Sequence, residues 1–260
     1  MLGQVLLQTA GWILLFQSVI FLAALVLKRN DLADVCWGAG FIMVAFTLLF
    51  RYTLTPPAGL LYALTTSWGG RLSIHLFIRN KNKQEDFRYR AWREEWGKNF
   101  IWRSYLQVFV LQGCFMWLIS FPLQIAAIDK NGTWNGWMIA GSLVWLIGFY
   151  FQSAGDAQLQ RFAATKQPGE ILQTGLWNYS RHPNYFGEIV MWWGVGFIAL
   201  PMAWGWLGLI GPMTITWLLT SVSGVPMLER KYKDHPAYQA YKKKTPALLP
   251  DFRSLLTGKK

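Results

Sequence analysis

Charge is scarce in this sequence, acidic charge most of all: 260 residues include 13 Asp or Glu and 25 Lys or Arg. A soluble domain of this size needs more polar groups to cover its core. Cysteine is nearly absent. Cys36 and Cys114 both lie in apolar runs, so no disulfide framework and no metal set is expected. A Gly-rich dinucleotide fingerprint, a P-loop and a serine elbow are missing, as are 20–50-residue repeats and low-complexity tracts. What is abundant is apolar: 53% of residues are hydrophobic, among them 16 Trp, 17 Phe and 10 Tyr. That composition excludes disorder, a disulfide scaffold and a coiled coil. It indicates an all-α integral membrane protein.

Apolar stretches long enough to cross a bilayer of about 30 Å recur along the chain. They predict seven spans, near 5–27, 33–54, 59–78, 105–128, 136–155, 183–202 and 205–226. The first has no basic region before it and no small-residue cleavage site after it, and is expected to be retained. Of the 25 basic residues, 22 fall in the first loop, the 79–103 segment, the 161–181 segment and the tail from Arg230. With seven spans these connections share one side. Arg51 and Lys130 lie on the other, and Arg71 is inside a span. This asymmetry places the N-terminus outside and the C-terminus in the cytoplasm. One membrane domain, 1–260, with a cytoplasmic cap is the simplest organisation. No nucleic-acid reader motif accompanies the net charge of +12.

Ionisable groups inside a membrane face a cavity or a partner by default. Asp34 opens span two, with Trp37 one turn later. It either caps the helix at the interface or faces inward, and Asp31 already offers a cap. Trp68, Arg71, His75 and Arg79, spaced by three, four and four, share one face of span three. Arg71 is too deep to reach the surface easily, and Asp34 is its natural counter-charge. Gln152, Asp156 and Gln160, with Arg161 adjacent, form a polar stripe off the end of span five.

The most specific run is Gly175-Leu-Trp-Asn178-Tyr179-Ser-Arg181-His182-Pro183-Asn184-Tyr185-Phe-Gly187-Glu188. Pro183 suits a first helical turn, and Asn184 and Glu188 then face one direction in an apolar helix. Arg181 can pair with a phosphate, His182 can donate or accept, and Tyr179 and Tyr185 offer stacking faces. The segment Glu85-Asp86-Phe-Arg88-Tyr89 and the tail around Glu229, Tyr232 and Tyr241 again interleave charge with aromatic rings. Such surfaces bind anionic lipid or the phosphates of a dinucleotide.

The Gly175–Glu188 run resembles the C-terminal signature of the steroid 5α-reductase family, and Asp34-Val-Cys-Trp37-Gly, Trp68-Gly-Gly-Arg71-Leu and Glu85-Asp86-Phe-Arg88-Tyr89 look like its bacterial branch. The resemblance covers about residues 30–255. It implies seven transmembrane helices that hold NADPH on the cytoplasmic side, a lipid-accessible steroid cavity, and residence in a bacterial inner membrane. By position, Asp156, Asn184 and Glu188 match polar residues of the family's cofactor site, and Gln152 replaces an amide residue there. Asn178, Tyr179, Arg181, His182 and Tyr185 occupy the loop and first turn beside them, with Arg79, Arg88 and Arg161 as further basic groups. Asp34 roughly matches the family's carboxylate. Trp68 stands where a tyrosine is usual, and Gly224 and Leu228 stand where the tail of eukaryotic members has His and Tyr. Glu229, Tyr232 and Tyr241 are the substitutes at hand.

The implied reaction is reduction of a conjugated enone in a steroid or sterol-like lipid by a monomer embedded among membrane lipids. A protonated Asp34 or His75 would hydrogen-bond the carbonyl oxygen, Arg71 would balance charge, and Trp37 and Trp68 would wall the flat substrate. Isoprenylcysteine carboxyl methyltransferases, which bind S-adenosylmethionine, share the Arg-His-Pro-x-Tyr-x-Gly run and a tail acid, here Glu229. A lipid-binding scaffold is the third reading.

Overall fold

The computed structural model describes residues 1–81, 83–252 and 254. Of the basic tail, Arg253, Lys259 and Lys260 lie outside the described residues. The chain forms two compact units, each discontinuous in sequence. Unit 1 takes Met1–Met138 and Ile198–Gly211, unit 2 takes Ile139–Phe197 and Pro212–Lys260.

Unit 1 begins with α1, Leu2–Leu27, which carries no charge. Its buried residues Val5, Thr9, Ile13, Gln17, Phe21 and Ala24 fall at helical spacing along one stripe. Leu7, Leu15, Val19, Leu22 and Val26 are exposed around the rest, as a lipid-facing surface requires. Lys28 ends the helix in the left-handed conformation, φ 54°. Its N–H bonds Leu25 O at 3.3 Å and that of Arg29 bonds Ala24 O at 2.9 Å, the hydrogen-bond pattern of a Schellman cap.

A short helix α2 (Leu32–Val35) leads into α3 (Trp37–Arg51) and, after four residues, α4 (Pro56–Asn80). α3 and α4 touch backbone to backbone: a methyl group on Gly69 would lie 2.6 Å from Gly38 O. The cap segment forms α5 (Phe87–Trp96), with Asp86 as N-cap accepting from Arg88 N at 3.0 Å. α6 (Phe100–Ser104), a π-helical stretch (Tyr105–Val110) and α7 (Leu111–Ile119) follow. Phe21 and Ala24 of α1 pack with Ala33, Tyr89, Trp96, Phe100, Val108 and Phe109 in one core.

The predicted fourth span does not run straight. The chain bends by 50° after Ile119, and Pro122 starts α8 (Phe121–Ile128). Every residue from Phe121 to Ala127 is buried. Gln124 is buried with the apolar side chains, and α8 packs against α1, α3, α4 and the turn Gly205–Leu209.

Unit 2 is built on α9 (Gly136–Thr165, from Ile139) and α10 (Pro183–Ala199, to Phe197). Gly148 and Gly155 on α9, with Gly187 and Gly194 on α10, recur every seven residues and let the two backbones meet. A methyl on Gly148 would lie 2.5 Å from Gly187 O, and one on Gly194 2.5 Å from Gly141 O. Beyond Pro212, α11 (Ile210–Trp217), a second π-helical stretch (Leu218–Val222), α12 (Val225–Lys231) and α13 (Pro236–Lys244) complete it.

Helices occupy all seven apolar segments, but seven crossings are not shown. Among the described residues three stretches are long and apolar enough to span a membrane: Leu2–Leu27, Gly136–Thr165 and Gly205–Lys231. The bent pair Phe87–Ile119 and Phe121–Ile128 makes a fourth if counted as one span. α3 and α10 are short, at 15 and 17 residues, and α4 includes Arg71 and His75. The chain is an all-α integral membrane protein with three to four candidate spans.

Candidate functional site

Two polar clusters stand out, one in each unit. In unit 1 the centre is Asp34, on α2. Its Oδ2 accepts from Arg88 at 2.7 Å, and its Oδ1 accepts from the Tyr89 hydroxyl at 2.8 Å and from Gln112 Nε2 at 3.3 Å. A counter-charge therefore comes from α5. Asp31 sits at the start of α2 without capping it. Its carboxylate is turned to Arg29 instead, at 2.7 Å. Arg88 is fixed from the other side by Asp86, Nε to Oδ1 at 2.9 Å. Both oxygens of Asp34 accept hydrogen bonds.

Of the face predicted on α4, Trp68 is buried, 1% exposed, with its ring edge-on to Phe41 at 5.3 Å. Trp37 meets the same Phe41 at 5.2 Å. Trp68 is thus a core residue with almost no surface to offer a ligand. Arg71 and His75 are half-buried, and Arg79 is exposed and donates to Asn80 Oδ1 at 3.2 Å.

In unit 2 the cluster lies along the glycine seam. Gln152 Nε2 donates to Glu188 Oε2 at 2.9 Å, and Asn184 Nδ2 donates to Asp156 Oδ1 at 3.0 Å. The two pairs repeat one device: a carboxylate takes the amide NH2, and the amide oxygen is left over. Among the described residues, Gln152 Oε1 and Asn184 Oδ1 are buried with no hydrogen-bond partner, and so are both ring nitrogens of His182. Buried polar atoms without partners are uncommon and ask for a ligand or water. His182 is 2% exposed and stacks on Tyr185 at 5.5 Å. Burial, helped by the neighbouring Arg181 and opposed by Glu229, pushes its imidazole down to about 4.

Arg181 is committed elsewhere. One guanidinium nitrogen donates to the carbonyls of Lys242, at 3.1 Å, and Thr245, at 2.6 Å, and the other pairs with Glu229. Lys242 meets the second Glu229 oxygen at 2.5 Å. The Tyr241 hydroxyl donates to Trp177 O and, at 3.3 Å, to Ser180 O. Arg181, Glu229 and Tyr241 therefore clamp α13 onto the 175–182 turn. The expected phosphate contact of Arg181 gives way to this, because a buried guanidinium needs its partners inside the protein. Asn178 and Tyr179 are half-buried in the same turn, with carbonyls taken by Thr245 (3.4 Å) and by Asp251 N–H (3.0 Å). Tyr232 stacks on Tyr238 at 5.1 Å, and Arg161 is exposed at the end of α9.

Sequence reasoning names Tyr89 without placing it beside Asp34, and overlooks Gln112 there and Gln158, whose Oε1 accepts from Leu176 N at 2.9 Å. Only Tyr89 carries a signal, as the aromatic neighbour of Arg88. Among the described residues no group of His, Cys, Asp and Glu is placed to hold a metal.

A steroid 5-alpha-reductase of Arabidopsis thaliana, DET2, is 30% identical over 82 residues, 31% of this chain and 30% of that protein. The match spans less than a third of that relative's length. Residues 20–245 match the model of the protein family of unknown function DUF1295. A match over that much of the sequence shows that the chain belongs to the DUF1295 family.

Proposed function

We propose that the protein is a membrane reductase of the steroid 5α-reductase type, which uses NADPH to reduce the C=C bond of a conjugated enone in a steroid or sterol-like lipid. The observation that carries the reading is the pair of carboxylate-oriented amides on the α9–α10 seam, with His182 beside them. Three of these side chains present buried polar atoms without partners. A nicotinamide carboxamide has the donors that such amide oxygens lack, so the residues fit the group. The partial likeness to a plant steroid 5-alpha-reductase points the same way.

When bound, the cofactor supplies a hydride. Gln152, Asn184 and His182 would hold its nicotinamide end, with Glu188 and Asp156 fixing the amides. Asp34 would act as an ionised anchor. It holds Arg88, with Tyr89 beside it, so that the remaining guanidinium N–H groups would meet negative charge on the substrate's carbonyl oxygen without reorganising. His75 and Arg71 would add polarity, and Trp37 an apolar wall. The protein's part is then orientation, charge stabilisation and exclusion of water.

The small molecules retained by the purified protein, measured by mass spectrometry, test the reading. NADP(H), followed by enone reduction when a 3-oxo-4-ene steroid is added, is the expected result. S-adenosylmethionine would overturn it in favour of a membrane methyltransferase, and neither cofactor would leave a lipid-binding scaffold.

A further inference from the structure

Unit 1 has a groove on α1 and α3 that shares no residue with either polar cluster. It is an open-sided depression of about 410 Å³ lined by Trp12 of α1 and Met43, Phe46, Thr47, Phe50 and Arg51 of α3. That volume falls in the range of ligand pockets. From Met43 to Arg51 the lining runs along roughly 12 Å of helix at 1.5 Å per residue. It is apolar for almost all of that length. The Thr47 hydroxyl turns back onto the Met43 carbonyl at 2.7 Å and presents no free proton. Trp12, Phe46 and Phe50 are 41%, 45% and 79% exposed. Beyond Arg51, the Tyr52 hydroxyl donates to Gln8 at 2.6 Å and pins the end of α3 to α1.

Arg51 closes the polar end. It is exposed and makes no ion pair among the described residues. A cation at the mouth of an apolar channel matches one kind of molecule, an amphiphile with an anionic head. We propose that this groove is a binding site for an anionic glycerophospholipid, with one acyl chain against Phe46 and Phe50 and the phosphate on Arg51. A guanidinium offers a phosphate two parallel N–H donors, which a zwitterionic head binds less well because its own cation competes.

The test uses delipidated full-length protein in detergent, offered equal phosphatidylglycerol and phosphatidylcholine of the same chain lengths and read by native mass spectrometry. Wild type retains phosphatidylglycerol about fivefold better, and Arg51→Gln loses that preference while its unfolding temperature is unchanged. Phe46→Ala weakens retention of both lipids without changing their ratio. Lys243→Gln, in the basic tail, keeps the preference, and millimolar inorganic phosphate does not displace the lipid. An undiminished preference in Arg51→Gln overturns the proposal, as does displacement by free phosphate. A dimer in the same spectra that Phe50→Ala abolishes would give the face to a second copy and overturn it as well.

Discussion

His182 shows how one buried side chain ties stability to pH. The unfolded chain takes up a proton below about 6.5, whereas the fold refuses it until about 4. Between these values the unfolded state binds more protons, so stability rises with pH across the window and levels off above it. The full effect is about 3 kcal/mol. Chemical unfolding in detergent should therefore shift to higher denaturant from pH 4 to 6.5, and His182→Gln should flatten the shift. An equal slope in the variant would assign it to another group. Asp34→Asn removes the anchor charge while keeping acceptors for Tyr89 and Gln112. Steady-state assays should show turnover about 100-fold lower with cofactor retention largely kept, and unchanged turnover would remove Asp34 from the mechanism. Asp34 and Arg88 are legible in the sequence because charge in apolar or aromatic surroundings is conspicuous. Their pairing is not, since 54 residues separate them and Arg71 offers a nearer cation. The commitment of Arg181 to α13 is hidden for the same reason: its partners are backbone carbonyls, which no residue type announces.

At the scale of helices, glycine placement separates tight contacts from open faces. Gly69 and Gly70 are neighbours on α4, yet a methyl on Gly69 meets the α3 backbone and one on Gly70 meets nothing within 4 Å. Gly69→Ala should lower stability by about 1–3 kcal/mol, and Gly70→Ala should be neutral or raise it by up to about 1 kcal/mol. Thermal unfolding of the two variants distinguishes them, and equal losses would show that α3 and α4 do not touch as described. At the end of α1, Lys28 holds a conformation that glycine adopts freely. Lys28→Gly should raise stability by about 1 kcal/mol by the same measurement, since the Schellman bonds are made by backbone alone. A drop would mean that the Lys28 side chain does more than end a helix. Hydropathy finds a helical segment at each of the seven places, although α9 runs on to Thr165, ten residues past its expected end. It cannot tell a lipid-facing helix from α8, which is equally apolar but enclosed by protein. The π-helical stretches are also invisible to it, because one inserted residue barely disturbs an apolar run.

For the molecule as a whole, the net charge of +12 has two uses that composition merges. Part of it is spent inside the fold: Arg29, Arg88, Arg93 and Arg181 all pair with carboxylates. The 25 basic residues outnumber the 13 acidic ones by twelve, so pairing inside the fold cannot absorb all of it. The division into two units has its own consequence. Unit 1 receives its last piece, Ile198–Gly211, only after Ile139–Phe197 has been made. Gly208 and Gly211 of that piece close on Pro122 and Ile119, so α8 leaves the ribosome well before its cover. At usual synthesis rates that interval is roughly 4–16 s. A chain truncated after Phe197 should consequently be cut by protease near residues 119–128, where the full-length protein resists. Equal resistance would mean that α8 needs no late cover. Birth order thus imposes a waiting period on the most enclosed helix, during which lipid or the insertion machinery must shelter a surface that the finished protein never shows.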